Sequence, residues 1–192
     1  MSTSITNILL AGVGGQGILL ASEILAEACM LAGFDVKKSE IHGMSQRGGS
    51  VVSHVRFGEK VFSPVVPEGE GDILFGFELL ETYRYLDLLR PGARIIANDF
   101  RIQPPAVLLG KELYPDDLPQ RISSRFIDFT LIDGLKIATE TGNPRVANTV
   151  LLGAVARHLV INDAVWQQAI GKMVPAKALE MNLRAFQAGR SL

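Results

Sequence analysis

An α/β fold, a Rossmann-like three-layer sandwich with a mainly parallel sheet and an inserted β-hairpin, is the class this sequence predicts. Three observations carry it. An apolar run, Ile5 to Ala11, stops abruptly at the glycine cluster that begins at Gly12. Short strand-like runs then alternate with stretches of helical periodicity along the chain. No repeat, low-complexity tract or linker interrupts the alternation, and 192 residues suit one core, so a single domain over 1–192 is expected.

The elements follow in order. After the first strand a helix is predicted from Gln16 to Leu31; apolar residues cover nearly its whole circumference, with Glu23 and Glu27 on one narrow polar edge, so it should be buried on several sides. Gly33 ends it, and Phe34 to Ile41 reads as a more polar strand carrying the Lys37-Lys38 pair near a solvated end. A glycine-rich polar stretch runs from His42 to Ser50. Val51, Ser53, Val55 and Phe57 then alternate with Val52, His54 and Arg56; Gly58-Glu59 turns and Lys60 to Pro64 returns, which predicts the hairpin, with His54 and Arg56 on its wetter face. Asp72 to Phe77 is the next strand, Glu78 to Leu89 the next helix, and Arg94 to Asn98 a strand after the Pro91-Gly92 turn. Four prolines between Arg101 and Gln120 predict loop with short strands. Phe126 to Ile132 reads as strand and Gly134 to Glu140 as helix. Asn143-Pro144 is a cap followed by proline at the first helical position, opening a helix to about Leu159. Two more are predicted, Ala164 to Met173 and Pro175 to Gln187, with Gly189 as the stop.

Composition excludes several functions. Nineteen Lys and Arg against twenty Asp and Glu give a net charge of −1, which argues against nucleic acid as a partner, because phosphate affinity needs clustered cations. No segment approaches the ~20 apolar residues that span a bilayer, and the start lacks the basic n-region of a signal peptide. A cytoplasmic protein without a membrane partner is expected. Cys29 is the only cysteine, so no iron–sulfur or zinc cage can be built from this chain's thiols; it falls on the stripe Ile18, Ala21, Leu25, Cys29 and reads as a packed thiol. His42, His54 and His158 lack metal-ligand spacing, and no metal site is expected.

The loop Gly12-Val13-Gly14-Gly15-Gln16-Gly17 sits between the first strand and the first helix. Glycines there allow a tight turn and let a phosphate approach the free N–H groups of a helix start. Gly12, Gly14, Gly15, Gln16 and Gly17 are thus the candidate phosphate or cofactor loop. It is no Walker A loop, since Ile18 and Leu19 follow Gly17. Glu40 stands where a dinucleotide fold holds a ribose, but the polar loop follows it rather than a second helix. Three uses remain open: NAD(P), another anion such as a CoA or thiamine phosphate, or glycines that serve only close packing.

This loop with Ile18-Leu19-Leu20-Ala21 resembles the start of gamma-type subunits of 2-oxoacid:ferredoxin oxidoreductases. The segment Ser39 to Ser50 is similar to their second signature. Its form His42-Gly43-Met44-Ser45-Gln46-Arg47-Gly48-Gly49 most resembles the beta subunits of the indolepyruvate enzymes, and Asn143-Pro144-Arg145 with Asn148 and Gly153 resembles the family's later helix. The resemblance implies a small subunit that completes an enzyme decarboxylating a 2-oxoacid, of the indolepyruvate or arylpyruvate kind, to an acyl-CoA. It implies that thiamine diphosphate and iron–sulfur clusters lie on a large partner subunit, that ferredoxin is reached through the complex, and that this chain binds no cofactor tightly but contacts CoA. The chain agrees in lacking both a thiamine motif and a cysteine cluster.

With that resemblance, His42, Gly43, Met44, Ser45, Gln46, Arg47, Gly48 and Gly49 form a candidate interface or ligand loop. Within it, the Arg47 guanidinium can hold a carboxylate or phosphate bidentately. His42 reads as a hydrogen-bonded loop histidine or an acid–base group, and His158 as a complement to a helix C-terminal dipole. Asn148 is either a structural hydrogen-bonding residue or a ligand contact. Glu68, Glu70 and Asp72 read as a solvated turn. The rival functions are a nicotinamide-dependent dehydrogenase and a purely structural subunit.

Overall fold

The computed structural model of the chain describes residues 5–43 and 48–192. β1 (Thr6–Val13) passes through the glycine turn into α1 (Ile18–Leu31), followed by β2 (Asp35–His42) and β3 (Ser50–Gly58). After a coil come β4 (Gly71–Gly76), α2 (Leu79–Arg84), a 3-10 turn at Leu86–Leu88 and β5 (Leu89–Asn98). Next are α3 (Pro105–Leu108), α4 (Leu118–Arg125), β6 (Phe129–Ile132) and α5 (Gly134–Glu140). A 3-10 turn at Pro144–Val146 opens α6 (Ala147–Ala156); α7 (Asp163–Met173), a 3-10 turn at Ala176–Ala178 and α8 (Leu179–Arg190) complete the order.

The strands lie side by side as β2-β3-β1-β4-β5-β6. β1, β4, β5 and β6 pair in parallel, while β3 is antiparallel to both β1 and β2. β2 therefore points the same way as β1, and among the described residues β3 is the one reversed strand. The sheet is mixed, mostly parallel and covered by helices on both faces, as the predicted class requires.

β1 explains the layering. Its alternate residues feed two cores: Ile8 and Leu10 pack with α1, α6, α7 and α8, while Leu9 and Ala11 pack with Leu79, Leu86, Leu118 and Ile122 on the other face. Cys29 is fully buried in the first core, and burial pushes its thiol up to about 12, as a packed thiol should behave. Gly33, at φ 92°, closes α1 as predicted: its N–H donates to Met30 O, and Phe34 N–H donates to Cys29 O. Among the described residues no helix is long and apolar enough to cross a membrane.

The hairpin differs from expectation. It forms between β2 and β3, with His42 opposite Val51, and Lys60 to Pro64 is coil rather than a returning strand. Both edges of β3 are already occupied, and side chains satisfy the coil's backbone groups instead. Val61 N–H donates to Asp35, while Arg56 donates to Ser63 O and Val65 O, each at 3.0 Å. Arg56 and His54 thus lie in the interior and not on a wet face; His54 is only 2% exposed. Its Nδ1 accepts from Val66 N–H, and burial, with the charge of Arg56 second, lowers its pKa.

Other boundaries move for local reasons. Glu78 caps α2 rather than joining it, accepting from Glu81 N–H at 2.8 Å, and the helix ends early in a 3-10 turn. β5 starts at Leu89 through an irregular register, so Pro91-Gly92 lies inside it. The proline-rich stretch holds two helix starts and no strand among the described residues, because Pro105 and Pro119 occupy first-turn positions, where a missing N–H costs nothing. Asn143 caps as predicted, accepting from Arg145 N–H, although α6 stops at Ala156. Gly189 does not stop a helix; it lies inside α8, where a Cβ would fall 1.8 Å from Val150 O of α6. His158 lies beyond α6 and its ring nitrogen meets Arg94, so it does not complement a dipole as a cation; burial and then Arg94 and Arg157 lower its pKa. Lys37 and Lys38 are paired with Asp35 and Glu23, and Asp72 accepts from Asn7 N–H and Arg90.

Candidate functional site

The chain leaves β1 through α1 toward β2 on one side and leaves β4 through α2 toward β5 on the other. The crevice outside the carboxyl ends of β1 and β4 is therefore the switch point where sheets of this kind take ligands. The glycine loop lies there, and its residues divide into distinct tasks. Gly15 and Gly17 have φ of 105° and 82°, which side chains rarely adopt, and Gly17 caps α1 with no side-chain hydrogen bond. The first turn of α1 carries no acidic residue, so nothing on that turn offsets the partial positive charge of its N–H groups. Gly12 is required for packing, since a Cβ there would sit 2.8 Å from both Gln16 Oε1 and Phe77 Cβ. Gln16 is committed to the scaffold: its Oε1 accepts from Val13 N–H at 2.7 Å and its Nε2 donates to Phe77 O at 3.1 Å, tying β1 to the end of β4.

Gly14 joins the two motifs singled out in the sequence. Its N–H donates to Gly49 O at 2.8 Å, and its carbonyl accepts from Gly48 N–H at 3.2 Å. The glycine loop and the far end of the His42–Gly49 loop are thus one backbone-bonded unit. At the near end, His42 is exposed at the end of β2, with Nδ1 3.1 Å from Gly43 O. Met44, Ser45, Gln46 and Arg47 lie outside the described residues.

Two clefts flank this unit and share Gly15 and Gly17. One, of about 490 Å³, runs toward β2 and is lined by Gly14, Leu19, Glu23, Glu40, His42 and Val51. The other, of about 310 Å³, lies over β4 and β5 and is lined by Gln16, Phe77, Asn98, Phe100, Leu135, Arg145, Asn148 and Leu151. Their polar chemistry is opposite. The first is lined by two carboxylates, of which Glu23 is paired with Lys38 at 3.7 Å, and by no cationic side chain among the described residues, so it offers a phosphate little. The second carries a guanidinium, three amides, of which Gln16 is already spent on the scaffold, and apolar rings, which suit an anionic ligand with an organic body. Asn148 belongs to the second: it stands against Gly17, where a Cβ would meet its Nδ2 at 2.7 Å. Asn98, buried at the end of β5, accepts from Gly134 N–H at 3.0 Å and so fixes the start of α5 beside the cleft.

Sequence reasoning gave Phe77 and Asn98 only as strand ends, did not name Phe100, and quoted Arg145 without giving it a role. The available signal was position: Phe77, Asn98 and Phe100 all lie at or just past carboxyl ends of parallel strands. Among the described residues no group of His, Cys, Asp and Glu could hold a metal ion.

Comparison with known proteins agrees over nearly the whole chain. Residues 7–192 match the family described as pyruvate ferredoxin/flavodoxin oxidoreductase. The indolepyruvate oxidoreductase subunit IorB of Thermococcus kodakarensis is 39% identical over 188 residues, covering 95% of this chain and 93% of that protein. The gamma subunit of a keto/oxoacid ferredoxin oxidoreductase from Geobacter sulfurreducens superposes with a TM-score of 0.72 at 26% identity, covering 97% of this chain and 96% of that one. A 2-oxoglutarate:ferredoxin oxidoreductase from Magnetococcus marinus, solved with 2-oxoglutarate, coenzyme A and succinyl-CoA, shares the fold. Its TM-score is 0.75 at 23% identity, with 99% of this chain and 31% of that one covered.

Proposed function

Because the chain belongs to the pyruvate ferredoxin/flavodoxin oxidoreductase family, we propose that it is the small subunit of an indolepyruvate- or arylpyruvate-oxidising enzyme. It assembles in the cytoplasm with a large subunit that carries thiamine diphosphate and iron–sulfur clusters. Oxidation of the 2-oxoacid to an acyl-CoA takes place on that partner, and ferredoxin is reduced through the complex. The residues of this chain do not fit a cluster, since its one thiol is buried and held protonated; no electron-transfer step is assigned to them.

One observation supports the assignment of work within this chain: Gly14 bonds to Gly48 and Gly49, so the glycine loop and the end of the second motif meet at the carboxyl edge of the sheet. We assign to that surface the contact with CoA. The N–H groups at the start of α1 and the Arg145 guanidinium would take its phosphates over the cleft that holds Asn98 and Asn148. Glu40 would disfavour phosphate in the other cleft, where Glu23 is already paired with Lys38. Arg47 would reach an anionic group of the partner, cofactor or substrate. The chain's own part is to bind and orient, and the partner's cofactors supply the chemistry. Co-purification of the tagged chain with the large subunit tests this; a stoichiometric complex is expected, and two proteins that elute apart at micromolar concentrations would overturn it.

A second reading has one observation in its favour. Glu40 lines a cleft together with the glycine loop, where a dinucleotide fold keeps its ribose acceptor. β2 nevertheless runs directly into the polar loop and β3, so the second β-α unit of such a fold is missing. NAD(H) and NADP(H) are expected to bind no tighter than millimolar, and a micromolar dissociation constant by calorimetry would favour a dehydrogenase.

A further inference from the structure

We infer that Ser50 and Glu81 are positioning residues, holding the exit of the 43–49 loop against the glycine loop. The inference deepens the function proposed above and rests on it for the consequence in turnover. Glu81 lies in the first turn of α2, where a glutamate commonly folds back to cap its own helix. Here Glu78 caps the helix by accepting from Glu81 N–H, and the Glu81 carboxylate reaches across to β3 instead of folding back. It is 3% exposed, and a buried carboxylate needs partners for both oxygens. Oε1 accepts from Arg84 at 2.5 Å, and Oε2 accepts from Ser50 Oγ at 2.5 Å.

The direction of the remaining bond follows from proton counting. The ionised carboxylate can only accept, so the single Ser50 hydroxyl proton points to Glu81. The Tyr85 hydroxyl, 3.0 Å from Ser50 Oγ, must then donate to it. The chain Tyr85 to Ser50 to Glu81, closed by Arg84, ties the serine hydroxyl to two groups at once. Ser50 directly follows Gly48 and Gly49, whose backbone groups bond Gly14. The two-glycine contact has no side chains to hold it; the anchored serine next door supplies that constraint.

The test reads the contact itself and then its consequence. Amide hydrogen exchange at Gly14 and Gly48 in the isolated chain should quicken about tenfold in Ser50→Ala, which loosens their bonds by ~1.4 kcal/mol. It should return to within twofold of wild type in Ser50→Thr, which keeps the hydroxyl, and Tyr85→Phe should show a smaller change in the same sense. In the reconstituted complex, assayed well below every variant's melting temperature, KM for CoA should rise several-fold in Ser50→Ala while KM for the 2-oxoacid stays put. Glu81→Gln should behave alike if it folds; Ser50→Ala carries the test if it does not. Unchanged exchange in Ser50→Ala overturns the inference, and so does a quickened exchange with an unchanged KM for CoA. A wild-type mixture without any turnover would be a failure of the proposed function, visible before any variant is made, and exchange would then decide alone whether the cluster holds the loop.

Discussion

Replacing Gly17 by alanine should damage the candidate site in a way that replacing Gly15 does not. Both residues have positive φ, 82° and 105°. A side chain in such a conformation costs about 1–2 kcal/mol, of which ~0.4–1 kcal/mol is offset because alanine restricts the unfolded chain. The surroundings differ. Among the described residues no atom lies within 4 Å of a Cβ at Gly15, whereas a Cβ at Gly17 falls 2.7 Å from Asn148 Nδ2. Gly15→Ala should therefore cost about 1 kcal/mol, which for a domain of this size lowers Tm by roughly 2–4 °C. Gly17→Ala should cost about 1–3 kcal/mol and also turn the Asn148 amide out of the cleft. Asn148→Ala makes room for the new methyl, so the double variant should be more stable than the two single losses predict, by ~0.5 kcal/mol or more. Thermal melts of the four proteins give that coupling directly. Additive losses, or a Gly17→Ala protein that melts with the wild type, would refute the account of this loop as a strained turn packed on Asn148.

Gly189→Ala should destabilise the chain without touching the site, because its Cβ would lie 1.8 Å from a backbone oxygen of α6, which cannot move cheaply; a loss of about 1–3 kcal/mol is expected in a urea titration, and an unchanged midpoint would contradict the helix contact. Stability should also fall as pH drops below the ordinary histidine pKa of about 6.5, because the unfolded chain then binds protons that the lowered pKa values of His54 and His158 deny to the folded one. The loss should be absent above roughly pH 7.5 and no steeper than about 1.4 kcal/mol per pH unit for each group. Denaturation between pH 5.5 and 7.5 should show a shallower slope in His54→Asn, and an equal slope would show that His54 protonates alike in both states. Arg47→Ala should lower kcat/KM or assembly about ten- to a hundred-and-fifty-fold, the equivalent of a charge-assisted hydrogen bond of roughly 1.5–3 kcal/mol; a variant that melts lower yet turns over normally would make Arg47 structural.

The layered α/β class was legible because Ile5 to Ala11 followed by glycines reads as a buried strand entering a helix, whatever else surrounds it. α5 and the Asn143 cap were legible for the same reason: their signals are local. The hairpin was misread because alternation in Ser50–Gly58 says that a strand exists but not which strand lies beside it. Arg56 and His54 looked solvent-facing by type; their burial depends on Asn7, Ser63, Val65 and Val66, which come near only in the folded chain. Gly189 looked like a stop because the backbone it must avoid belongs to α6. In the site, the glycine loop could be read from sequence, but its union with Gly48 and Gly49 could not, since hydrogen bonds between distant glycines leave no pattern. Asn98 and Glu81 were invisible for a related reason: Gly134 and Ser50, which they hold, are far along the chain.

Turnover on mixing tests the central claim most directly. The purified chain, the purified large subunit and the two together would be supplied with an arylpyruvate, CoA and a low-potential viologen, and viologen reduction followed by absorbance. The chain alone should be colourless and inactive, and the mixture should reduce viologen in a CoA-dependent way that saturates as the subunits reach equal amounts. Viologen reduction by this chain without its partner, or a large subunit whose rate is unchanged by adding it, would contradict its role as a subunit that completes the enzyme.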